Sequence, residues 1–422
     1  MTIGWQIGVD IGGTFTDVVA YHPELDEIAT AKVPSQQSNP ITGLLMALEA
    51  LGCKWDDADD LVHGTTMITN AVVEGRLARV ALITTEGFAD TLAIGRQNRT
   101  HLYRLDLAPK PPPLIDDELL FEVSERVSVS GKVTKELTEE ELEKVCNEVV
   151  ASGAEAVAVS LLHSYANPTH ELMLGEKLKS FVPYVTLSHL VNPESREFER
   201  TSTTALSAGV MPMAGDYLDK LEAQCPDTSQ LHMFHSAGGM ATPESLRYMP
   251  LGLAYSGPAA GVSAAAFIAA QLSLDQAISF DMGGTTAKAG VIYKGEPLTT
   301  GAALLGGYEK ALPVQIAMMD IFEVGTGGGS IARIGEEGGF RLVGGLYPGV
   351  VGDDAANEHV DHHRHQDHEN DQNAAQGQKP DGSGHFPLGL KTNFLATLLN
   401  QLLQFIERGD RRHVVNVDDL VD

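Results

Sequence analysis

A phrase that joins one aspartate, two glycines and a threonine occurs twice in this chain. It reads DIGGT at residues 10–14 and DMGGT at residues 281–285. Paired glycines let backbone N–H groups approach an anion closely, because no Cβ stands in the way. An aspartate beside such a turn can hold Mg²⁺ through water. The phrase is therefore typical of a turn that binds phosphate together with its metal ion.

Hydroxyl and ammonium groups accompany both turns. Threonine hydroxyls can contact phosphate oxygens or metal-bound water, and a lysine can offset phosphate charge. A strand followed by Gly-Gly is also a common way to make a tight turn, so one copy alone would be equally well explained by a structural role. Two copies favour a nucleotide held between two similar lobes. The groups concerned are Thr14, Thr16, Thr285, Thr286 and Lys288.

A third glycine cluster, GTGGGS at residues 325–330, follows an apolar stretch. In a two-lobed nucleotide fold this backbone would lie flat against the adenine and ribose, and the alternative is a flexible turn. The chain has neither the P-loop lysine pattern nor a Gly-x-Gly-x-x-Gly fingerprint that opens a helix after a strand. Walker-type and dinucleotide binding are therefore not supported, and the two-lobed interpretation remains.

Strands and helices must position these turns, and the hydrophobic pattern predicts where they lie. Each repeated phrase follows an apolar, β-prone run, so each is expected to join two strands. The other predicted elements are a helix that follows Pro40 and runs through Leu51, buried strands at residues 80–84 and 154–162, and a helix at about residues 139–152. Leu44, Leu45, Leu48 and Leu51 are expected to share the apolar face of the first helix, and Thr138 is expected to cap the second. This alternation predicts α/β architecture.

Composition bounds the class of protein. With 422 residues, 43% of them hydrophobic and 20% charged, the chain is long enough for two or three ordinary globular domains. No apolar run is long enough to cross a bilayer, and the start lacks a secretory signal, so a cytoplasmic protein without a membrane partner is expected. Three widely spaced cysteines argue against a disulfide framework. The net charge of −28 would repel nucleic acid.

The chain is predicted to divide into two lobes and a tail. The first lobe is assigned to residues 1–200 and the second, partial lobe to residues 201–345, because TSTT at residues 201–204 opens a helical stretch. Residues 346–422 form the tail. Its segment 353–385 is acidic, His-rich and almost without apolar residues, so disorder is expected, with a possible short helix after it. No metal site is predicted in the tail, because nothing fixes the geometry of its histidines.

Seven phrases carry a family resemblance over roughly residues 5–340. They are IGVDIGGTFTD (7–17), HGTTMITN (63–70), IGRQNR (94–99), REFERTSTT (196–204), SGPAAG (256–261), FDMGGTTAK (280–288) and GTGGGSI (325–331). In this order they resemble the hydantoinase A/5-oxoprolinase family, whose fold belongs to the actin-like ATPase superfamily. The resemblance implies a two-lobed α/β fold with ribonuclease H-like lobes.

The resemblance also implies ATP-dependent chemistry on a carbonyl. In the amidohydrolase members, ATP activates a cyclic amide of the hydantoin or 5-oxoproline type by phosphorylating its oxygen, and water then opens the ring. Asp10 and Asp281 would be the catalytic carboxylates on the Mg²⁺ side, and His63 would be a general acid or base, unless it only satisfies a turn backbone. The implied ATP contacts are Gly12, Gly13, Thr14, Thr16, Gly283, Gly284, Thr285, Thr286, Lys288, Gly327, Gly328 and Gly329.

The resemblance leaves the reaction open. The first hypothesis is an ATP-dependent cyclic-amide hydrolase that works with a separate hydantoinase B-type partner. The second is the ATP-using subunit of a ketone carboxylase, since the nucleotide turns are common to both. The third is a shortened, non-catalytic nucleotide-binding protein, because members usually continue well beyond the third glycine cluster.

Overall fold

Alternating strands and helices build the chain, as the sequence predicts. Residues 1–325 form one compact unit, and residues 326–422 form a second unit. The computed structural model describes residues 4–36, 40–52, 55–97, 113–226, 228–283, 286–305, 312–324, 330–334 and 340–344. The predicted disordered tail lies outside these residues.

The elements are labelled in chain order over the described residues. The strands, β1 to β22, are Trp5–Ile11, Phe15–His22, Glu27–Pro34, Ala58–Thr65, Val80–Thr85, Leu120–Val123, Arg126–Val127, Val133–Lys135, Ala156–Ser160, Tyr184–Leu187, Gln230–Phe234, Met240–Ala241, Gln276–Met282, Ala287–Tyr293, Glu296–Pro297, Thr299–Thr300, Ala303–Leu305, Leu312–Val314, Met318–Met319, Ile321–Val324, Ser330–Ile334 and Phe340–Gly344. The α-helices, α1 to α9, are Pro40–Leu51, Met67–Val73, Thr91–Ile94, Glu139–Ala151, Thr169–Leu178, Ser188–Val191, Glu197–Glu222, Pro243–Tyr248 and Ser256–Gln271. Short 3₁₀ helices are Trp55–Asp57, Asp117–Leu119 and Pro250–Leu253.

The first large sheet has the strand order β12-β11-β4-β1-β2-β3. Strands β1, β4 and β11 run parallel, so their carboxyl ends meet at one edge of the sheet. The first DIGGT turn follows β1 at this edge. Helix α1 covers the sheet with Leu44 and Leu48, whereas Leu45 is 40% exposed, contrary to the prediction. Adjacent helical residues differ by about 100° around the axis, so Leu44 and Leu45 cannot both face the sheet.

The second sheet has the order β10-β9-β5-β6 with all strands parallel. Every residue of β5 and β9 is buried, as expected for a parallel sheet with both faces covered. Helices α4 and α5 pack on one face, and α7 packs on the other. Helix α4 begins after Thr138, whose hydroxyl accepts a hydrogen bond from Glu141 N at 3.3 Å, which confirms the predicted cap.

The third sheet pairs β13 with β14, and β14 in turn pairs with β15 and β20. Helix α9 packs against β14 so closely that a Cβ added at Gly290 would lie 2.4 Å from Val262 Cγ2. The predicted helical stretch after residue 200 lies within α7, which begins earlier, at Glu197. The lobe boundary near residue 200 stays a prediction. In the second unit, the described residues form the antiparallel hairpin of β21 and β22.

Candidate nucleotide site

The two DxGGT phrases form hairpins with the same register. Asp10 stands opposite Asp17 in the β1–β2 hairpin, and Asp281 stands opposite Lys288 in the β13–β14 hairpin. Gly12 N donates to Phe15 O at 3.0 Å in the first turn, and Gly283 N donates to Thr286 O at the same distance in the second. The repeated sequence therefore specifies a repeated backbone, with an aspartate at the end of the first strand of each hairpin.

In both places a third strand pairs with the second strand of the hairpin and forms an ion pair with it. The signs of the two charges are reversed between the first hairpin and the second. Strand β3 places Lys32 beside Asp17, with Nζ 2.8 Å from Oδ1. Strand β20 places Glu323 beside Lys288, with Nζ 3.5 Å from Oε1. The second strand of the first hairpin thus brings a carboxylate towards the turn, and that of the second brings an ammonium group.

Asp10 and Asp281 lie near enough for their charges to interact. The pKa of Asp10 is raised from 3.8 to about 6, chiefly by loss of solvation and then by the negative charges of Asp17 and Asp281. Lys288 and Lys32 oppose this shift. Asp10 nevertheless keeps accessible surface. Solvent access combined with loss of solvation is typical of a carboxylate at the floor of a cleft, where a cation would be favourably bound.

The first turn of α9 lies against this carboxylate. Ser256 Oγ accepts a hydrogen bond from Thr65 N and donates one to Thr65 O, both at 2.9 Å, which ties α9 to the end of β4. A Cβ added at Gly257 would stand 2.5 Å from Asp10 Oδ1. Glycine is therefore required for this approach, and the positive end of the helix dipole lies beside Asp10.

The first glycine turn is supported from the end of β3. Ser35 Oγ donates to Gly12 O at 2.8 Å and lies 3.0 Å from Thr16 Oγ1, and Ser35 N donates to Thr14 O at 2.9 Å. Thr16 is fully buried, while Gly13 and Thr14 are exposed. Thr14 is thus open to a phosphate, whereas the contacts of Thr16 are those of a residue that holds the turn in place.

The second turn is supported by charged neighbours. Lys288 Nζ donates to Thr286 Oγ1 at 2.9 Å. Tyr255, just before α9, donates its hydroxyl hydrogen to Glu323 Oε2 at 3.0 Å, so Glu323 joins the helix start to Lys288. The remaining predicted contacts, Gly284, Thr285, Gly327, Gly328 and Gly329, lie outside the described residues.

His63 lies beneath the site and is fully buried. Its Nδ1 is 3.4 Å from Val9 O, and its Nε2 forms a hydrogen bond with the hydroxyl of Tyr217. Burial lowers the pKa of His63 to about 4, so the ring is neutral at pH 7. Because Nδ1 faces a carbonyl and must donate, Nε2 accepts from Tyr217. The general acid or base role stays a prediction, and these contacts are those of its structural alternative.

The carboxylates of Asp10 and Asp281 suit a metal ion that binds as a complex with a nucleotide. Among the residues that the structure describes, no group of three or more His, Cys, Asp or Glu side chains could hold a metal ion. Mg²⁺ bound to phosphates keeps several waters and takes one or two protein carboxylates. The pair of Asp10 and Asp281 matches this requirement for one or two protein carboxylates.

Sequence reasoning missed several residues around the turns. Asp17 lies inside the phrase IGVDIGGTFTD, and the register of a hairpin could have identified it as the partner of Asp10. Gly257 lies inside the phrase SGPAAG, and the glycine itself could have indicated a close contact. Ser35, Tyr255 and Glu323 had no such signal, because each reaches the site only through tertiary contacts.

Two regions of the chain match one family. Residues 6–182 match the hydantoinase/oxoprolinase N-terminal region, and residues 200–350 match hydantoinase/oxoprolinase. The chain belongs to the hydantoinase/oxoprolinase family. This family includes ATP-dependent cyclic-amide hydrolases and carboxylases.

The individual relatives are longer than this chain. An uncharacterized protein of Methanocaldococcus jannaschii is 36% identical over 370 residues, which cover 83% of this chain and 54% of that protein. The acetophenone carboxylase gamma subunit of Aromatoleum aromaticum is 32% identical over 382 residues, covering 82% of this chain and 50% of that subunit. The crystal structure of ATP-dependent caprolactamase from Pseudomonas jessenii aligns with a TM-score of 0.68 at 28% identity, covering 82% of this chain and 51% of that one. The chain therefore spans about half the length of these relatives.

The structural likeness to the caprolactamase confirms the predicted α/β, actin-like ATPase fold. In the part of the chain that the structure describes, no helix has the length and apolar character needed to cross a membrane.

Proposed function

We propose that this chain binds Mg·ATP between its two glycine turns and directs phosphoryl transfer to the carbonyl oxygen of a cyclic amide of the hydantoin or 5-oxoproline type. The observation that carries the proposal is the pair of matched hairpins, which bring Asp10 and Asp281 within range of each other's charge. Such transfer depends mainly on positioning and on neutralising charge. Backbone N–H groups of the turns and the Lys288 ammonium group would meet the phosphates.

Phosphorylation makes chemical sense for this substrate class, because an amide carbonyl is a poor electrophile. With phosphate on its oxygen, the carbon can accept water and the ring C–N bond can open, leaving an acyl phosphate that a second water hydrolyses to carboxylate and inorganic phosphate. Asp10 and Asp281 would hold Mg²⁺, which offsets the charge that develops on the transferred group. A hydantoinase B-type partner for the hydrolytic half and a cytoplasmic location belong to this proposal.

A second candidate, the ATP-using subunit of a ketone carboxylase, is favoured by the 32% identity to an acetophenone carboxylase subunit. Release of ADP from ATP separates the candidates, when measured with cyclic amides and with acetophenone, each with and without bicarbonate. We expect a cyclic amide to raise the rate several-fold without bicarbonate. Stimulation by the ketone only when bicarbonate is present would instead support the carboxylase. ATP binding without stimulation by either would support a non-catalytic nucleotide-binding protein.

A further inference from the structure

The ion pairs beside the two hairpins differ in how closely the lysine is held. Lys32 Nζ lies 2.8 Å from Asp17 Oδ1 and 2.9 Å from Oδ2, so both oxygens of this carboxylate bind the ammonium group. Lys288 Nζ lies 3.5 Å from Glu323 Oε1, which is longer than the roughly 2.7–2.9 Å of a charge-assisted hydrogen bond. The second ion pair is therefore the looser one, although its side chains are less exposed to solvent.

The hydroxyl of Tyr255 accounts for the looser ion pair. It donates a hydrogen bond to Glu323 Oε2 at 3.0 Å, so one oxygen of this carboxylate is already engaged. Burial and the negative charge of Glu323 raise the pKa of Tyr255, so the hydroxyl keeps its proton and remains a donor. While Tyr255 holds Glu323, the carboxylate cannot bind Lys288 with both oxygens.

The backbone of Tyr255 is fixed by the same contacts that place the start of α9. Its φ of 55° lies in the left-handed region, which is rare for a residue with a bulky side chain. Tyr255 N donates to Thr69 Oγ1 at 2.9 Å, and the next residue, Ser256, forms hydrogen bonds with Thr65. A backbone in such a conformation persists only where its surroundings hold it, and it often marks a functional site. The direction of the Tyr255 side chain is thus set beside Asp10.

The ammonium group of Lys288 has donors left for a further anion. An ammonium group has three N–H donors. Among the contacts of the described residues, Nζ makes one hydrogen bond, to Thr286 Oγ1 at 2.9 Å, in addition to the loose ion pair with Glu323. The Lys288 side chain is 18% exposed, and its charge reaches Asp10, where it opposes the rise in pKa. A phosphate oxygen in the cleft could therefore accept from Lys288.

Resting on the proposed function, we propose that Tyr255 is a positioning residue for Lys288. By holding Glu323, it keeps the ammonium group beside the second glycine turn with its charge only partly compensated, ready for the phosphates of the nucleotide. Without the hydroxyl, Glu323 binds Lys288 with both oxygens, as Asp17 binds Lys32. Phosphate then has to compete with a complete ion pair.

Calorimetric titration of the full chain with Mg·ATP tests this inference in the wild type and three variants. Tyr255→Phe removes only the hydroxyl and should weaken binding about three- to ten-fold. Tyr255→Phe combined with Glu323→Gln should restore the affinity to within about two-fold of the wild type, because a neutral amide cannot compensate the charge of Lys288. Glu323→Gln alone should bind Mg·ATP at least as tightly as the wild type. A hydroxyl that only supported the fold would not give this rescue.

Tyr248→Phe is the matched control, because Tyr248 lies on α8 with its side chain exposed, and it should leave the affinity unchanged. The inference would be overturned by an unchanged affinity of Tyr255→Phe, by a double variant that binds as weakly as Tyr255→Phe, or by weaker binding of Glu323→Gln alone. The two proposals fail in different ways. Wild-type binding with an unaffected Tyr255→Phe removes the positioning role and leaves the nucleotide site intact, whereas absence of wild-type binding removes both.

Discussion

Asp10 and His63 occupy neighbouring strands, and their pKa values shift in directions that have opposite effects on stability. The folded state keeps His63 neutral down to about pH 4, so its contribution is full above pH 6.5 and is lost as the pH falls. The folded state protonates Asp10 below about pH 6, so its contribution is present below pH 3.8 and is lost as the pH rises. Over pH 4 to 6 the two contributions oppose each other.

Asp10→Asn removes the opposing contribution of Asp10, so the contribution of His63 to the pH dependence of stability should become measurable. We expect the free energy of unfolding of this variant, from urea titrations, to rise more steeply from pH 4 to 6.5 than that of the wild type. The His63 window corresponds to a rise of up to about 3 kcal/mol, since each pH unit contributes about 1.4 kcal/mol. Asp116→Asn, an exposed change, should keep the wild-type profile. A profile for Asp10→Asn that matches the wild type would refute this assignment.

The sequence predicts residues of the site where the chemistry is local. Asp10 and Gly12 could be proposed as site residues because they belong to one phrase of five consecutive residues, 10–14, and their role in the site stays a prediction. The surroundings of His63 could not be predicted, because Tyr217 is 154 residues away and meets the imidazole only after α7 packs on the sheet. The support of the first turn by Ser35 likewise depends on the pairing of β2 with β3.

At the scale of elements, the start of α9 controls the position of Asp10. Gly257→Ala should push a methyl group into Asp10 Oδ1, because the added Cβ would stand 2.5 Å from that atom. We expect a loss of stability of about 1 to 3 kcal/mol, typical of overpacking, and Mg·ATP affinity reduced about ten-fold or more. Thermal unfolding and calorimetry measure the two effects.

Gly261→Ala on the same helix is the control, because a Cβ there would have no atom within 4 Å. It should raise stability by about 0.5 to 1 kcal/mol through helix propensity and leave nucleotide affinity unchanged. If both variants bind Mg·ATP like the wild type, the contact between α9 and Asp10 has no role in the site.

Element types were predictable where periodicity or capping is strong. The strand at residues 80–84, the helix ending at Leu51 and the cap at Thr138 follow the pattern. The exposure of Leu45 was missed because a run of leucines hides which side of a helix packs. Tertiary packing decides such cases.

At the scale of the molecule, the matched hairpins have different surroundings. Val9 and Ile11 of β1 are 5% and 6% exposed, whereas Phe280 and Met282, at the equivalent positions of β13, are 42% and 40% exposed. Strand β1 lies between β2 and β4, while β13 pairs with β14 alone among the described strands. A sequence repeat predicts the hairpin but not whether a further strand pairs with its first strand. The difference in exposure between β1 and β13 could therefore not be predicted.

Calorimetric titration of the full chain with Mg·ATP is the most direct test of the central claim, that two matched turns form one nucleotide site. The decisive variant is Asp10→Asn with Asp281→Asn, compared with Asp116→Asn with Asp117→Asn, which removes the same charge from an exposed surface. We predict binding by the wild type and the control, and loss of binding in the decisive variant. Undiminished binding by that variant, or no binding by the wild type, would contradict the account.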